Sequence, residues 1–227
     1  MKLLAFDTST QTLGLAIHAH NETHTIEAPG GAHASEILLS QIHQLLSAHG
    51  LSLAGLDAIA FGCGPGAFTG LRTSCSVAQG LAMGAQLPLI PIVTLHAGAQ
   101  EYLLKETKKN NIEPGDTASI LVQLDARMDE WYWAHYKWAQ QAWHIITPPT
   151  LSTPAQLQSY IDTHTPAHTV NIATAQMTGM VELARQAWEN GQTVSPEQAL
   201  PLYLRNKVAL TTAERAVLRE QKQQALS

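Results

Sequence analysis

The sequence is poor in cysteine, in charge and in long apolar runs, and each shortage excludes something. Cys63 and Cys75 are the only cysteines in 227 residues. Two are too few for a disulfide framework, and their spacing fits no common zinc pattern, so both read as small buried residues or free thiols. Charged residues make up 14% of the chain and the net charge is −5. Gripping nucleic acid needs clustered Lys and Arg, so direct contact with RNA is expected to be peripheral at most. The one lysine cluster, Lys105, Lys108 and Lys109, falls where a helix is expected to end and complements its dipole. No apolar run reaches the ~18 residues of a membrane span. The N-terminus opens at once on a strand, without the apolar core and cleavage site of a signal peptide, so a cytoplasmic protein without membrane contact is expected. His20 and His24 are four apart, but they straddle a hairpin turn expected at Asn21-Glu22 and share no helix face, so no metal site is expected there.

What is present is organised around Gly62-Cys63-Gly64-Pro65-Gly66-Ala67-Phe68-Thr69-Gly70-Leu71-Arg72. A short apolar strand over 56–61 precedes it, and a proline-free helix from residue 71 follows. Four glycines and a proline in the join leave the backbone free to take positive φ and to approach something closely. Thr69 is placed to cap the helix. Such a loop suits an anion, for example a phosphate, or is simply a tight strand-to-helix turn. It is neither GxGxxG nor GxxxxGK[ST], since no lysine follows the glycines.

Taken in order, strands are expected over 2–6, 13–18 and 23–28, then an amphipathic helix over 34–49 with Ser35 as a candidate cap. Leu38, Ile42, Leu45, Leu46 and His49 follow its stripe. Ile37 and Leu39 fall off it and leave apolar surface on a second face, either a wide buried face or a partner surface. The helix from 71 to 85 is rich in small residues, Ser74, Cys75, Ser76, Ala78, Gly80, Ala82 and Gly84. Glycine within a helix costs up to about 1 kcal/mol relative to alanine, which close approach of a sheet, another helix or a ligand would offset. A strand over 87–93 and a helix to about Lys109 with Thr94 as a candidate cap complete a β-β-β-α-β-α-β-α order.

The second half begins like the first. A strand over 119–124 ends in Asp125, a polar turn follows, and strands are expected over 131–138 and 142–146. Strand, Asp, polar turn, strand, strand thus occurs at Asp7 and again at Asp125, implying two similar lobes, 1–109 and 110–227, of which the second is short of material. Helices over 154–163 and 177–190, a strand over 169–173, an extended piece over 201–205 and a polar terminal helix over 211–225 finish the chain. Trp131 and Trp133 alternate with Tyr132 on a strand, which suits core or cross-strand packing before base stacking.

Four segments, in order, resemble the pattern of the TsaB family, formerly described as glycoprotease-like: Leu4 to Thr10 (LAFDTST), Gly64 to Arg72 (GPGAFTGLR), Asp125 to Tyr132 (DARMDEWY) and Pro201 to Asn206 (PLYLRN). The resemblance implies a two-lobed α/β fold of the actin-like and sugar-kinase-like (ASKHA) type with a reduced second lobe. It implies a non-catalytic role in making threonylcarbamoyladenosine beside the tRNA anticodon, with the catalytic sister TsaD and the ATPase TsaE as partners and tRNA contact indirect. The sister holds its metal with two histidines that align here with Thr94 and Gly98, so no metal is expected, and His96 alone does not make a site. The fold would place Asp7, Thr8, Ser9, Gly64, Gly66, Thr69, Gly70 and Asp125 near a nucleotide phosphate. They form either a weak or shared site for ATP or ADP with Mg²⁺, or a remnant that binds nothing tightly. The family pairs through the first two helices, which puts Leu38, Leu39, Ile42, Arg72, Ser76, Gln79 and Gly80 at or near a partner face that could also form a homodimer. The alternatives to this reading are an independent small-molecule kinase or ATPase of the same fold, a metalloprotease, and a scaffold unconnected with tRNA.

Overall fold

The computed structural model describes residues 1–109, 111–112 and 116–205. The first lobe is built on a five-stranded sheet. β1 (Leu3–Asp7), β2 (Thr12–Ala19) and β3 (Glu22–Pro29) form an antiparallel meander. β4 (Ala58–Gly64) and β5 (Leu89–Val93) add in parallel, in the order β3-β2-β1-β4-β5. Every residue of β1 and β4 is buried. Both strands lie inside a sheet covered on two sides, which is why they read as continuous apolar runs rather than as an alternation.

α1 (Ala32–Ala48) and α2 (Phe68–Ala85) cover one face of this sheet. The expected stripe of Leu38, Ile42, Leu45 and Leu46 is buried in that core. The second half repeats the plan with fewer parts. β6 (Ala118–Arg127), β7 (Glu130–Ala139), β8 (Ala142–Ser152) and β9 (His168–Ile172) form a four-stranded sheet in the order β8-β7-β6-β9. The first sheet's fifth strand has no counterpart there among the described residues, so the second lobe is the reduced one. α4 (Pro154–His164) packs on one face of it, against Trp133 and Leu121, so the tryptophans serve packing. β8 runs past the expected end, through Pro148 and Pro149, as an edge strand can because its outer N–H groups need no ladder partner.

The remaining two helices are exchanged between the lobes. α3 (Thr94–Lys108) packs Leu95, Ala99 and Leu103 on the second sheet, while α5 (Met177–Glu189) lays Met177, Met180, Val181 and Ala184 on the first. They cross backbone to backbone: a Cβ on Gly179 would lie 2.2 Å from the Ala97 carbonyl oxygen. The Glu101 carboxylate of α3 accepts the Gly179 N–H of the first turn of α5 at 2.7 Å. This charge satisfies an orphan donor at a helix N-terminus. Glu101→Ala is expected to cost about 1–2 kcal/mol, read as a lowered urea midpoint at unchanged slope.

Three expected caps are corrected. Ser35, Thr69 and Thr94 lie inside their helices, whose N-cap positions are Gly31, Ala67 and Val93, none with a side-chain cap bond. In α2 the tertiary bond from the Ala67 N–H to the Ser9 carbonyl, 2.7 Å, fixes the start instead. The first hairpin turns at His20 and Asn21, both left-handed, one residue earlier than expected. The terminal helix expected over 211–225 lies outside the described residues.

Candidate functional site

Asp7 is the last residue of β1, Asp125 lies two residues before the end of β6, and the two make the same local bond. Asp7 Oδ1 accepts the Ser9 N–H and Asp125 Oδ1 accepts the Arg127 N–H, each at 2.7 Å. Their surroundings differ. Asp7 is 1% exposed, and its other oxygen accepts the Thr94 hydroxyl at 3.0 Å. Burial pushes its pKa up, against the lowering effect of the Ser9 and Thr94 hydrogen bonds. Asp125 is exposed and lies 3.5 Å from the Arg127 guanidinium.

The two turns face each other across a cleft of about 590 Å³. Of the residues expected near a phosphate, Ser9, Gly66 and Asp125 line it, together with Thr10, Gln11 and Arg127. Gly30 and Gly31, which in the sequence signal only a break after β3, also line it. Asp7, Thr8 and Gly70 lie behind this wall, bonded or packed to their own chain. The Thr8 N–H donates to Ser74 Oγ at 2.9 Å, and its hydroxyl donates to the Gly70 carbonyl at 2.7 Å. Thr69 is exposed on the second residue of α2. Asp7 thus has both carboxylate oxygens hydrogen-bonded behind the wall, whereas Asp125 lines the cleft with its oxygens on the Arg127 N–H and guanidinium.

The glycines of the organising loop have an internal reason. A Cβ on Gly66 would sit 2.4 Å from the Ser9 carbonyl oxygen, and one on Gly70 would sit 2.0 Å from that of Thr8. Gly64, at φ 109°, faces Leu71 and the Leu202 carbonyl. The close approach legible in the sequence is thus made by the β1–β2 turn and by the segment 201–205. The four resembling segments, far apart in sequence, meet here. A second hollow of about 270 Å³ adjoins the cleft, walled by Phe68, Arg127, Tyr132, Leu202, Tyr203 and Arg205.

One wall of both hollows is strained. Arg127, Met128 and Asp129 take φ of 63°, 56° and 55° in succession. Outside glycine this costs on the order of 1 kcal/mol or more per residue. The β2–β3 and β7–β8 hairpins use two such residues each, and the β1–β2 turn uses none.

On the outer side of α1 and α2, Leu39 is 56% and Met83 62% exposed. Arg72, Ser76 and Gly80 are exposed as well. Gly80 and Gly84 face open space, so packing among the described residues does not account for them. Leu38 and Ile42 are corrected as surface residues: at 0% and 3% exposure they belong to the first lobe's own core. The Gln79 amide is half engaged already, donating to the Pro196 and Ala199 carbonyls at 3.1 and 3.0 Å.

Thr94 is bonded to Asp7, and Gly98 meets Val122 and Ile172, from which an added Cβ would lie 3.0 and 3.1 Å. Among the described residues no three His, Cys, Asp or Glu side chains come together as a metal cluster. His96 stacks on Tyr136 at 4.8 Å with Trp143 edge-on at 5.4 Å. Its Nε2 is buried without a hydrogen-bond partner among the described residues, and burial holds its pKa down to about 4 from 6.5. The unfolded ring therefore takes up its proton first. Stability present above pH 6.5 is lost as pH falls towards 4, by roughly 3 kcal/mol for the full shift. His96→Phe is expected to flatten that acid limb in urea midpoints measured between pH 7 and 4.

A family model described as TsaD, tRNA N6-adenosine threonylcarbamoyltransferase, matches residues 15–224. A tRNA threonylcarbamoyladenosine biosynthesis protein TsaB of Escherichia coli is 32% identical, with 92% of this chain and 96% of that protein covered. The Haemophilus influenzae protein of the same name is also 32% identical, over 92% and 95%. Among solved structures, YeaZ from Pseudomonas aeruginosa superposes with a TM-score of 0.72 at 29% identity, over 89% of this chain and 99% of that one. A second Pseudomonas aeruginosa structure, described as an uncharacterized protein with similarity to the peptidase YEAZ, gives 0.74 at 30% identity, over 90% and 99%. No helix among the described residues is long and apolar enough to cross a membrane.

Proposed function

The chain belongs to the TsaB family of tRNA threonylcarbamoyladenosine biosynthesis proteins, and we propose that within that synthesis it is a non-catalytic cytoplasmic subunit that pairs with a TsaD-type transferase and works with a TsaE-type ATPase. The observation that carries this reading is the fate of the two positions aligned with the transferase's metal ligands. Thr94 is spent on Asp7, and Gly98 is closed in by Val122 and Ile172. A side chain at residue 98 would press on both, so the chain lacks the ligand pair and packs the place of one of them tightly.

Pairing uses the outer face of α1 and α2, where Leu39, Arg72, Ser76, Gly80 and Met83 are exposed. Glycines in open helix positions cost stability unless another backbone comes close. In the absence of the transferase the same face can pair two copies of this chain. ATP or ADP with Mg²⁺ is at most a weak or shared ligand of the interlobe cleft. Asp125 can hold Mg²⁺ through water, while the Ala67 N–H at the glycine loop already donates to Ser9. With a net charge of −5 the chain touches tRNA indirectly.

The test combines gel filtration with the transferase and an ATP turnover assay on the isolated chain. A co-eluting complex and no turnover support the subunit reading. Saturable turnover by the chain alone, without complex formation, replaces it by the kinase reading.

A further inference from the structure

The segment 196–205 is the motif that the proposed pairing leaves without a task. It crosses from one lobe to the other, and every few residues it makes a bond. The Ala199 carbonyl accepts Cys75 Sγ at 3.3 Å and the Gln79 amide at 3.0 Å, both from α2. The Leu202 N–H donates to the Cys63 carbonyl at 2.7 Å. The Tyr203 hydroxyl accepts Arg72 Nε at 3.1 Å, and its ring lies 5.4 Å from that of Phe68, over which the Arg72 guanidinium sits at 4.0 Å. Two residues on, the Arg205 guanidinium donates to the Ala126 carbonyl at 3.1 Å, to the Arg127 carbonyl at 3.4 Å and to the Glu130 carboxylate.

Those last acceptors frame the three consecutive left-handed residues 127–129. A strained turn persists only where its surroundings over-determine it. Asp125 holds it from inside the turn, and the Arg205 Nη2 group holds it from the strap, its N–H bonds shared among the Ala126 and Arg127 carbonyls and the Glu130 carboxylate. Arg205 is 16% exposed at its side chain, so its bonds are shielded from competing water.

We propose that Arg205 is the positioning residue of the interlobe cleft, and that the strap it ends ties the state of the 127–129 turn to the exposed Arg72 on α2. The strap is one short extended piece with bonds at both ends. Releasing the turn removes the anchor at residue 205, frees Tyr203 two residues away and lets the Arg72 side chain leave its place over Phe68. The cleft and the α2 face then change together, as two sites biased by one two-state element. The importance of that face for pairing rests on the function proposed above. The coupling itself does not, because it is tested on the isolated chain.

The experiment is amide hydrogen exchange and ¹⁵N NMR on the full chain and three variants. Arg205→Ala is expected to speed exchange of the Arg127 and Leu202 amides by about tenfold and to move the Arg72 Nε–H resonance to that of a solvent-exposed arginine. Arg205→Lys keeps the charge but on a shorter stem that does not bring a donor to the place of Nη2, and should give the same changes in weaker form. Tyr203→Phe should release Arg72 while leaving the Arg127 amide protected. If Arg205→Ala folds poorly, the lysine variant carries the test. Loosening confined to the turn, with Leu202 and Arg72 unchanged, overturns the coupling. An unchanged Arg127 amide overturns the positioning role. Either result leaves the pairing proposal standing, and a failure to pair leaves this one standing.

Discussion

Gly80→Trp is expected to leave the isolated chain folded and to weaken its complex with the TsaD-type transferase by roughly a hundredfold or more. Nothing among the described residues lies within 4 Å of a Cβ built on Gly80, so the side chain leaves the helix into open space. The helix gains, since almost any residue is a better helix former than glycine in an interior turn. The whole penalty then falls on the partner. Inserting a large side chain where two backbones meet costs about 3 kcal/mol or more, which is two factors of ten in affinity. Isothermal titration measures it, with thermal unfolding of the free chain as the control. Gly80→Ala should be tolerated far better. Equal affinity for the tryptophan variant and the native chain moves the partner face away from α2.

Gly70→Ala is expected to do the reverse and to strike the fold. The added methyl would lie 2.0 Å from the Thr8 carbonyl oxygen and 3.0 Å from Ser9 Cα, both backbone atoms that cannot turn aside. Thr8 is further fixed by its hydroxyl bond to Gly70 and its N–H bond to Ser74. Relief therefore requires α2 to move from β1. A loss of about 3 kcal/mol follows from overpacking of this kind, a fall in Tm of roughly 6–12 °C for a chain of this size. The effect separates two uses of the glycine loop. If the glycines exist to admit a phosphate, the variant keeps its Tm and loses ligand. If they exist to admit the β1–β2 turn, it loses Tm with no ligand present.

That loop also shows how far the sequence could be read. Four glycines and a proline between a strand and a helix announced a close approach, and the approach is there. What approaches is Thr8 and Ser9, some 60 residues upstream, and no local pattern names a partner at that distance. The caps failed for the same reason. Ser35, Thr69 and Thr94 carry cap-forming side chains, but tertiary bonds such as Ala67 N–H to Ser9 set where α2 begins, and Thr94 spends its hydroxyl on Asp7. The strands β1 and β4 were plain because burial on both faces writes an uninterrupted apolar run. The repeat of Asp7 in Asp125 was legible as a pattern, and the structure adds the matching bond from each Oδ1 to the N–H two residues on. The exchange of α3 and α5 between lobes was not, since an amphipathic helix records that it has a buried side but not which sheet lies against it. The resemblance assigns the whole of the first helix to pairing and so places Leu38 and Ile42 with Leu39 on one partner face. In the fold the stripe faces inward and Leu39 outward. The strap of residues 201–205 read as a short extended piece, and its bonds to both lobes became visible only when the four resembling segments came together.

The measurement that bears most directly on the proposed role is a reconstituted transfer reaction. It contains the TsaD-type transferase, the TsaE-type ATPase, an enzyme that makes the threonylcarbamoyl adenylate, threonine, bicarbonate, ATP and tRNA, with this chain present or omitted. Digested tRNA is then analysed for threonylcarbamoyladenosine. The account predicts that the modified nucleoside forms only when this chain is added, and that this chain with tRNA and the adenylate alone forms none. Full modification without the chain, or modification by the chain in the absence of the transferase, would contradict it.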